Sequence, residues 1–309
     1  MNTGGAAGIG AAGSGDSGSG ATGQGDPSQL VGVFQVNVTP ASSAIAASTA
    51  VVGKVYDGAT PATVVWEKPQ VDGPCTLTTP RVPFCSSPCG SSSACVEDDT
   101  CQAYATARSV GLVTMTGVKT TGGDSSFTMS PVANTYQPPG SVSLAYPPFA
   151  EGDEVSVHAA GDYFPAFTLT STGISPLALT SSALALKTDQ PLALTWTKGT
   201  AANATVHVKL DISHHGGTKG QIECDAADDG SLVISAQLIT ALLGLGAAGY
   251  PSVIVSRHAV GSTVISAGRV DLDVSSIVEQ AVTVEGLTSC TKDADCASGK
   301  TCQSDLSCK

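Results

Sequence analysis

The chain has 309 residues, enough for about two domains with cores of their own. With 13% charged residues, 5% aromatic residues, 35 glycines and much Ser, Thr, Ala and Val, its composition favours strands and turns over helices. A formal net charge of −12 with only 14 Lys and Arg excludes a nucleic-acid groove and disfavours an anionic membrane surface, since both need clustered cations.

Residues 1–29 read as a disordered Gly/Ser/Ala linker, without the basic and apolar regions of a secretory signal. Gly15-Asp16-Ser17-Gly18 matches a protease nucleophile motif only through the composition of this tract. Such linkers commonly separate a lipid-modified cysteine from the first folded domain of a bacterial lipoprotein. The expectation is therefore a signal peptide missing from this sequence and a lipid anchor upstream of Met1.

From Leu30 the pattern changes. LVGVFQVNV alternates with period two, AVVGKVYDG and ATVVWEKP follow, and SVGLVTMTGVKT and SFTMSPV resume the alternation. Residues 30–147 are predicted to form one β-sandwich, interrupted by a Cys-rich, Pro-rich loop over residues 75–101. A second, immunoglobulin-like sandwich is predicted for residues 148–286. In VHVKLDI, Val206, Val208, Leu210 and Ile212 should face inward, and His207, Lys209 and Asp211 outward. One short helix is predicted at SAQLITALLG, with Ser235 as N-cap, Leu238, Ile239, Leu242 and Leu243 as its apolar face and Gly244 as its stop. The longest apolar stretch, starting at Leu238, is too short and Gly-rich to span a bilayer. Trp66 and Trp196 both fall in strand patterns and are expected in cores.

The chain closes on CTKDADCASGKTCQSDLSCK, and residues 287–309 are expected to be a disulfide-knotted tail. The ten cysteines are Cys75, Cys85, Cys89, Cys95, Cys101, Cys224, Cys290, Cys296, Cys302 and Cys308. An even count without any C-x-x-C pair points to disulfides in preference to a zinc site. CGSSSACVEDDTCQ and CTKDADCASGKTCQ share the frame C-x5-C-x5-C. In the first copy Ala107 stands where the tail has Cys308, so Cys85 or Cys75 must supply the fourth partner. Cys224 is expected to reach Cys75 or the loop around it, tying the two sandwiches together. The tail has only Leu287 and Leu306 to bury, so covalent staples must replace a core, and they persist only outside a reducing cytosol.

Candidate chemistry is sparse. His214 and His215 in LDISHHGG, with the outward-facing Asp211 or His207, have the residue types of a transition-metal site, beside the plainer reading of a Gly-Gly hairpin tip. Acidic loops at Glu97-Asp98-Asp99, at Asp225 with Asp228-Asp229, and at Asp293 with Asp295 leave weak Ca2+ binding open, though none has the EF-hand frame. There is no G-x-S-x-G elbow, and no catalytic residue is assigned.

VVGKVYDG with VVWE, the CVEDDTCQ loop, LDISHHGGTKGQIECDAADDGS and the Cys-rich tail together resemble secreted or surface, lipoprotein-like proteins of myxobacterial type. The half containing PLALTWTKG is similar to immunoglobulin-like modules, and VVGKVYDGATP is similar to the opening of transthyretin-like β-domains. These resemblances imply an all-β fold and an extracellular or cell-surface address, and bring no activity with them. The expected function is a non-enzymatic structural or binding protein whose loops engage an envelope, glycan or protein partner. The alternative is a secreted metal-dependent hydrolase with its site near His214 and His215.

Overall fold

A computed structural model describes residues 25–42 and 45–309. Most of the linker expected over residues 1–29 lies outside the described residues. Its last stretch, residues 25–29, is not free: Gly25 donates its amide to the Ile265 carbonyl at 3.0 Å, and Pro27 accepts from the Arg269 guanidinium at 3.3 Å.

The architecture is all-β and centres on one ten-stranded sheet. Its axis is a long hairpin of β17 (Ser252–Ile265) and β18 (Gly268–Val284), paired without a register shift from Ser252 opposite Ala281 to Ile265 opposite Gly268. On the β18 side lie β1 (Leu30–Thr39), β2 (Ser48–Val55) and β9 (Thr135–Tyr136); β1 runs parallel to β18. On the β17 side lie β14 (Thr205–Asp211), β15 (Gln221–Ala227), β4 (Cys75–Arg81) and the edge strand β3 (Val65–Asp72). The short β12 (Leu184–Leu186) adds to β18 in parallel.

Two layers cover opposite ends of one face of this sheet. Over the β1–β2 end lies a four-stranded sheet of β7 (Val113–Thr116), β8 (Ser126–Met129), β10 (Glu154–Ala159) and β11 (Phe167–Thr172). Between them Phe34, Met115, Met129, Tyr136, Val157 and Leu272 form the first core. Over the β14–β15 end lie the pair β13 (Leu192–Thr195) and β16 (Ser231–Ile234), and the helix α1 (Ala236–Gly244). Here Trp196, Leu194, Val208, Leu210, Ile222 and Leu242 form the second core. The helix is capped as predicted, with Ser235 Oγ accepting from the Leu238 amide at 3.3 Å. Gly246, with φ +86°, takes the stop expected of Gly244.

The two cores do not divide at residue 147. Ala204, Ala259, Val270 and Leu272 belong to the first core, and Leu77 and Cys75 to the second. The cause is the hairpin: β17 and β18 are long enough to cross from one sandwich into the other, so early and late segments share both interiors. The segment expected as a loop from residue 75 likewise begins as β4, an interior strand between β3 and β15. Only after Arg81 does it leave the sheet, to form the small hairpin of β5 (Ser93–Glu97) and β6 (Thr100–Ala103).

All ten cysteines are paired: Cys75–Cys224, Cys85–Cys95, Cys89–Cys101, Cys290–Cys302 and Cys296–Cys308. Cys75 and Cys224 sit directly opposite one another on β4 and β15. Their bond staples neighbouring strands inside the second core, and does not join the two sandwiches. In loop and tail alike, the first of four cysteines bonds the third and the second bonds the fourth. On the shared frame Cys85 does the work of Cys308, entering from the N-terminal side instead of the C-terminal side.

Candidate functional site

The predicted histidine turn is built as a structural corner. Asp211 Oδ1 accepts from the Ser213 amide at 2.8 Å and from its hydroxyl at 3.1 Å, so this carboxylate closes the turn instead of reaching the histidines. The rings of His214 and His215 lie against each other at 3.9 Å between centroids, tilted by 54°. The His214 carbonyl accepts from the Tyr250 amide, and the tail clips on beside it where the Gly249 amide donates to the Asp305 carbonyl. Among the described residues no three His, Asp or Glu side chains converge; the groups of three potential ligands are disulfide cysteines.

The acidic loops spend their carboxylates internally. Asp98 Oδ1 accepts from the Phe84 amide at 3.0 Å and from Arg81 at 2.6 Å, and Asp99 Oδ1 from the amide and hydroxyl of Ser86. Asp225 pairs with His207, Asp228 with Arg257, and Asp229 with Lys198. Asp293 accepts from the Cys302 amide, and Asp295 from the amides of Thr291 and Lys292. Hydrogen bonds to the charged form hold Asp98, Asp99 and Asp295 below the usual carboxylate range: the Phe84 amide acts first on Asp98, the Ser86 hydroxyl on Asp99 and the Thr291 amide on Asp295.

The sheet edge next to the loop knot carries what the sequence placed elsewhere. Trp66, expected in a core, is 38% exposed, because β3 has a neighbour on one side only. Trp196 is buried, its indole N–H donating to Asp228 at 2.7 Å. Trp66 pairs with Pro80, and Val82, just past the end of β4, is 77% exposed. Phe84, two residues on, is 72% exposed. Its backbone is fixed on both sides: its amide donates to Asp98, its carbonyl accepts from the Asp99 amide at 3.0 Å, and Cys85 follows with its bond to Cys95. Arg81 braces the same corner between Glu67 and Asp98, and the Asp98 bond is the main reason its guanidinium is held above its ordinary pKa.

The face of the ten-stranded sheet opposite both cores, which no other layer of the described residues covers, holds a second cluster. Alternation brings His207, Ser256, His258 and Asp273 to that face, with Ser256 directly opposite His207 on β14 and His258 opposite Ser275 on β18. His258 Nδ1 lies 2.9 Å from Asp273 Oδ1, and its Nε2 lies 2.7 Å from Ser256 Oγ. His207 Nδ1 lies 2.9 Å from Asp225 Oδ1. Sequence reading assigned His207 outward, as found, but missed Ser256, His258 and Asp273. Only the register of the hairpin brings Asp273 back beside His258, and no local spacing signals that.

Neither a protein-family model nor a curated protein matches this chain. Among solved structures, the FN1–FN3 domains of chicken CNTN1 align over 76% of this chain and 78% of theirs, at 10% identity and a TM-score of 0.20. So loose a superposition supports no inference about this chain, and the fold rests on the strands and cores described above.

Proposed function

We propose that this protein works outside the cytosol as a binding module that meets its partner through the stapled edge around Phe84. The supporting observation is that a large aromatic side chain stands in water on a rigid backbone. Exposing a Phe forgoes about 1.5–3 kcal/mol of burial, while the Asp98 and Asp99 contacts and the Cys85–Cys95 bond prevent the chain from folding it away. An anchor already ordered before contact loses little entropy on binding, which is the property of an interface hot spot. Trp66 and Val82 are further exposed apolar side chains near this edge, and Arg81 braces the corner between Glu67 and Asp98. Five disulfides and no free thiol among the described residues fit an oxidising compartment. The partner is an envelope protein or glycan. No observation favours the metal-dependent hydrolase at His214 and His215.

The test places a photo-reactive benzoylphenylalanine at position 84 in the producing cells, with the same probe at Tyr163, another exposed aromatic, as control. The expected result is a discrete adduct from position 84 alone, whose mass identifies a protein or a glycan. The same scatter of adducts from both positions would sink the reading.

A further inference from the structure

We infer that Ser256 is an activated nucleophile, with His258 as its general base, and that the open face of the sheet reacts with activated acyl or phosphonyl groups. This goes beyond the binding reading and does not rest on it.

The tautomer is fixed by the neighbours. Asp273 is held 2.9 Å from Nδ1 of His258, and an ionised carboxylate can only accept, so the ring proton of neutral His258 sits on Nδ1. Nε2 is then a lone-pair acceptor. At 2.7 Å from it, Ser256 Oγ must donate its single proton there. The competing acceptor, the His207 carbonyl, is much farther at 3.4 Å. Nucleophile, base and orienting carboxylate are thus connected in the order that acyl transfer requires.

A fourth group completes the arrangement. His207 stands directly across from Ser256 on the same face, where cross-strand side chains approach to about 5 Å. Asp225 Oδ1 holds its Nδ1 at 2.9 Å, and in the protonated ring the Nε2–H can meet an oxyanion formed above Ser256. The backbone cannot play that part, because β17 is paired to β14 on one side and to β18 on the other. Ser256 itself is 4% exposed, lying low between two half-buried rings, so a reactive group has to enter between His207 and His258.

Ser256 Oγ bonds to the acyl carbon of an activated ester while its proton passes to His258 Nε2. The alcohol leaves with that proton, giving acyl-Ser256 and a neutral ring. Water, deprotonated by the same nitrogen, then releases the acid and restores the serine. With a fluorophosphonate, the phosphorus–fluorine bond breaks instead, fluoride departs with the proton, and the adduct persists.

The experiment treats the purified, oxidised protein with a fluorophosphonate, maps the adduct by mass spectrometry, and follows 4-nitrophenyl acetate hydrolysis in parallel. The expected result is one adduct on the peptide containing Ser256, absent in Ser256→Ala, and slower by at least about tenfold in His258→Ala, the lower end of general-base effects. Asp273 acts as a positioning residue: Asp273→Asn should slow labelling and also remove the downfield Nδ1–H proton resonance of His258. Melting curves establish that each variant is folded. If any variant fails to fold, the wild-type adduct map still decides. No adduct, an adduct on another residue, or equal labelling of folded His258→Ala overturns the assignment and leaves the Phe84 reading untouched.

Discussion

Arg257 on β17, fully buried, meets the buried Asp228 in the turn between β15 and β16, with Nε 2.7 Å from Oδ2, at the point where the two cores adjoin. Val255 before Arg257 belongs to the second core, and Ala259 after it to the first. The Nε contact is short but poorly aligned as a hydrogen bond, so its attraction is mainly coulombic. The other guanidinium nitrogens are aligned: Nη1 donates to the carbonyl and hydroxyl of Ser175 at 2.9 Å, and Nη2 to the Thr197 carbonyl and Asp228. Asp228 in turn accepts from Trp196 and from the Gly199 amide. Glu151 joins through the Thr200 and Ala201 amides, which donate to its Oε1. Burial raises its pKa, but the Thr200 and Ala201 amides and the nearby Arg257 outweigh this and leave it below the usual range. One cation therefore ties three connecting segments to the central hairpin.

Removing that cation should be costly, because it strands a carboxylate in the interior. Arg257→Ala is expected to lose about 3–5 kcal/mol in urea denaturation. Asp228→Asn, which can keep part of its hydrogen bonding, should lose less. A loss under about 1 kcal/mol for Arg257→Ala would mean that the knot is incidental to stability.

The two sheets of the first sandwich approach each other closely at Gly261. A Cβ there would lie 1.7 Å from the Thr170 carbonyl oxygen, while Ser171 Oγ already donates to the Ala259 carbonyl at 2.8 Å. The obstacle is backbone, which cannot swing aside. Gly261→Ala should therefore destabilise by at least about 1–3 kcal/mol, the usual range for overpacking. Gly244→Ala is the matched control, since nothing lies within 4 Å of its added methyl at the end of α1. It should be neutral or slightly stabilising. Equal effects on the melting temperature would refute the close-approach account.

Much of this was legible in the sequence because it is local. Period-two alternation identified the inward Val206, Val208, Leu210 and Ile212 of β14, and Ser235 announced the helix start. The domain division was not legible, since alternation fixes which side chains face inward and not which interior they enter. A 17-residue strand crossing both cores looks locally like a shorter one. Trp66 misled for a related reason: a strand pattern does not reveal that the strand lies at an edge. The Ser256–His258–Asp273 chain was hidden because two of its members lie 15 residues apart and meet only through hairpin register.

The disulfides should fall into two classes when removed. Cys75 and Cys224 are buried and 149 residues apart, so on loop-entropy grounds their loss should cost about 4–5 kcal/mol globally. A Cys75→Ala/Cys224→Ala pair should thus lower the main unfolding midpoint. Cys296 and Cys308 close a span of only 12 residues in the tail. Replacing them with serine should speed hydrogen exchange in residues 287–309 and leave the main midpoint nearly unchanged. A matching global loss from the tail pair would show the tail to be integral to the second core.

Acid should loosen the tail through Asp305. The Lys309 ammonium 2.6 Å away, followed by the Ser307 hydroxyl, lowers its pKa from 3.8 to about 2. A carboxylate depressed in the folded form contributes stability that is fully present above its unfolded value and is lost as pH falls through the folded one. The window therefore runs from about pH 4 down to about pH 2. The Asp305 carbonyl also holds the Gly249 amide at 2.8 Å, so loosening here should reach the clip between tail and body. Exchange at the Gly249 amide, corrected for intrinsic rate, should accelerate across that window in the native protein. Asp305→Asn should begin with faster exchange and show little further change, because the titrating group is gone. A native-like pH response in that variant would assign the acid sensitivity to another group.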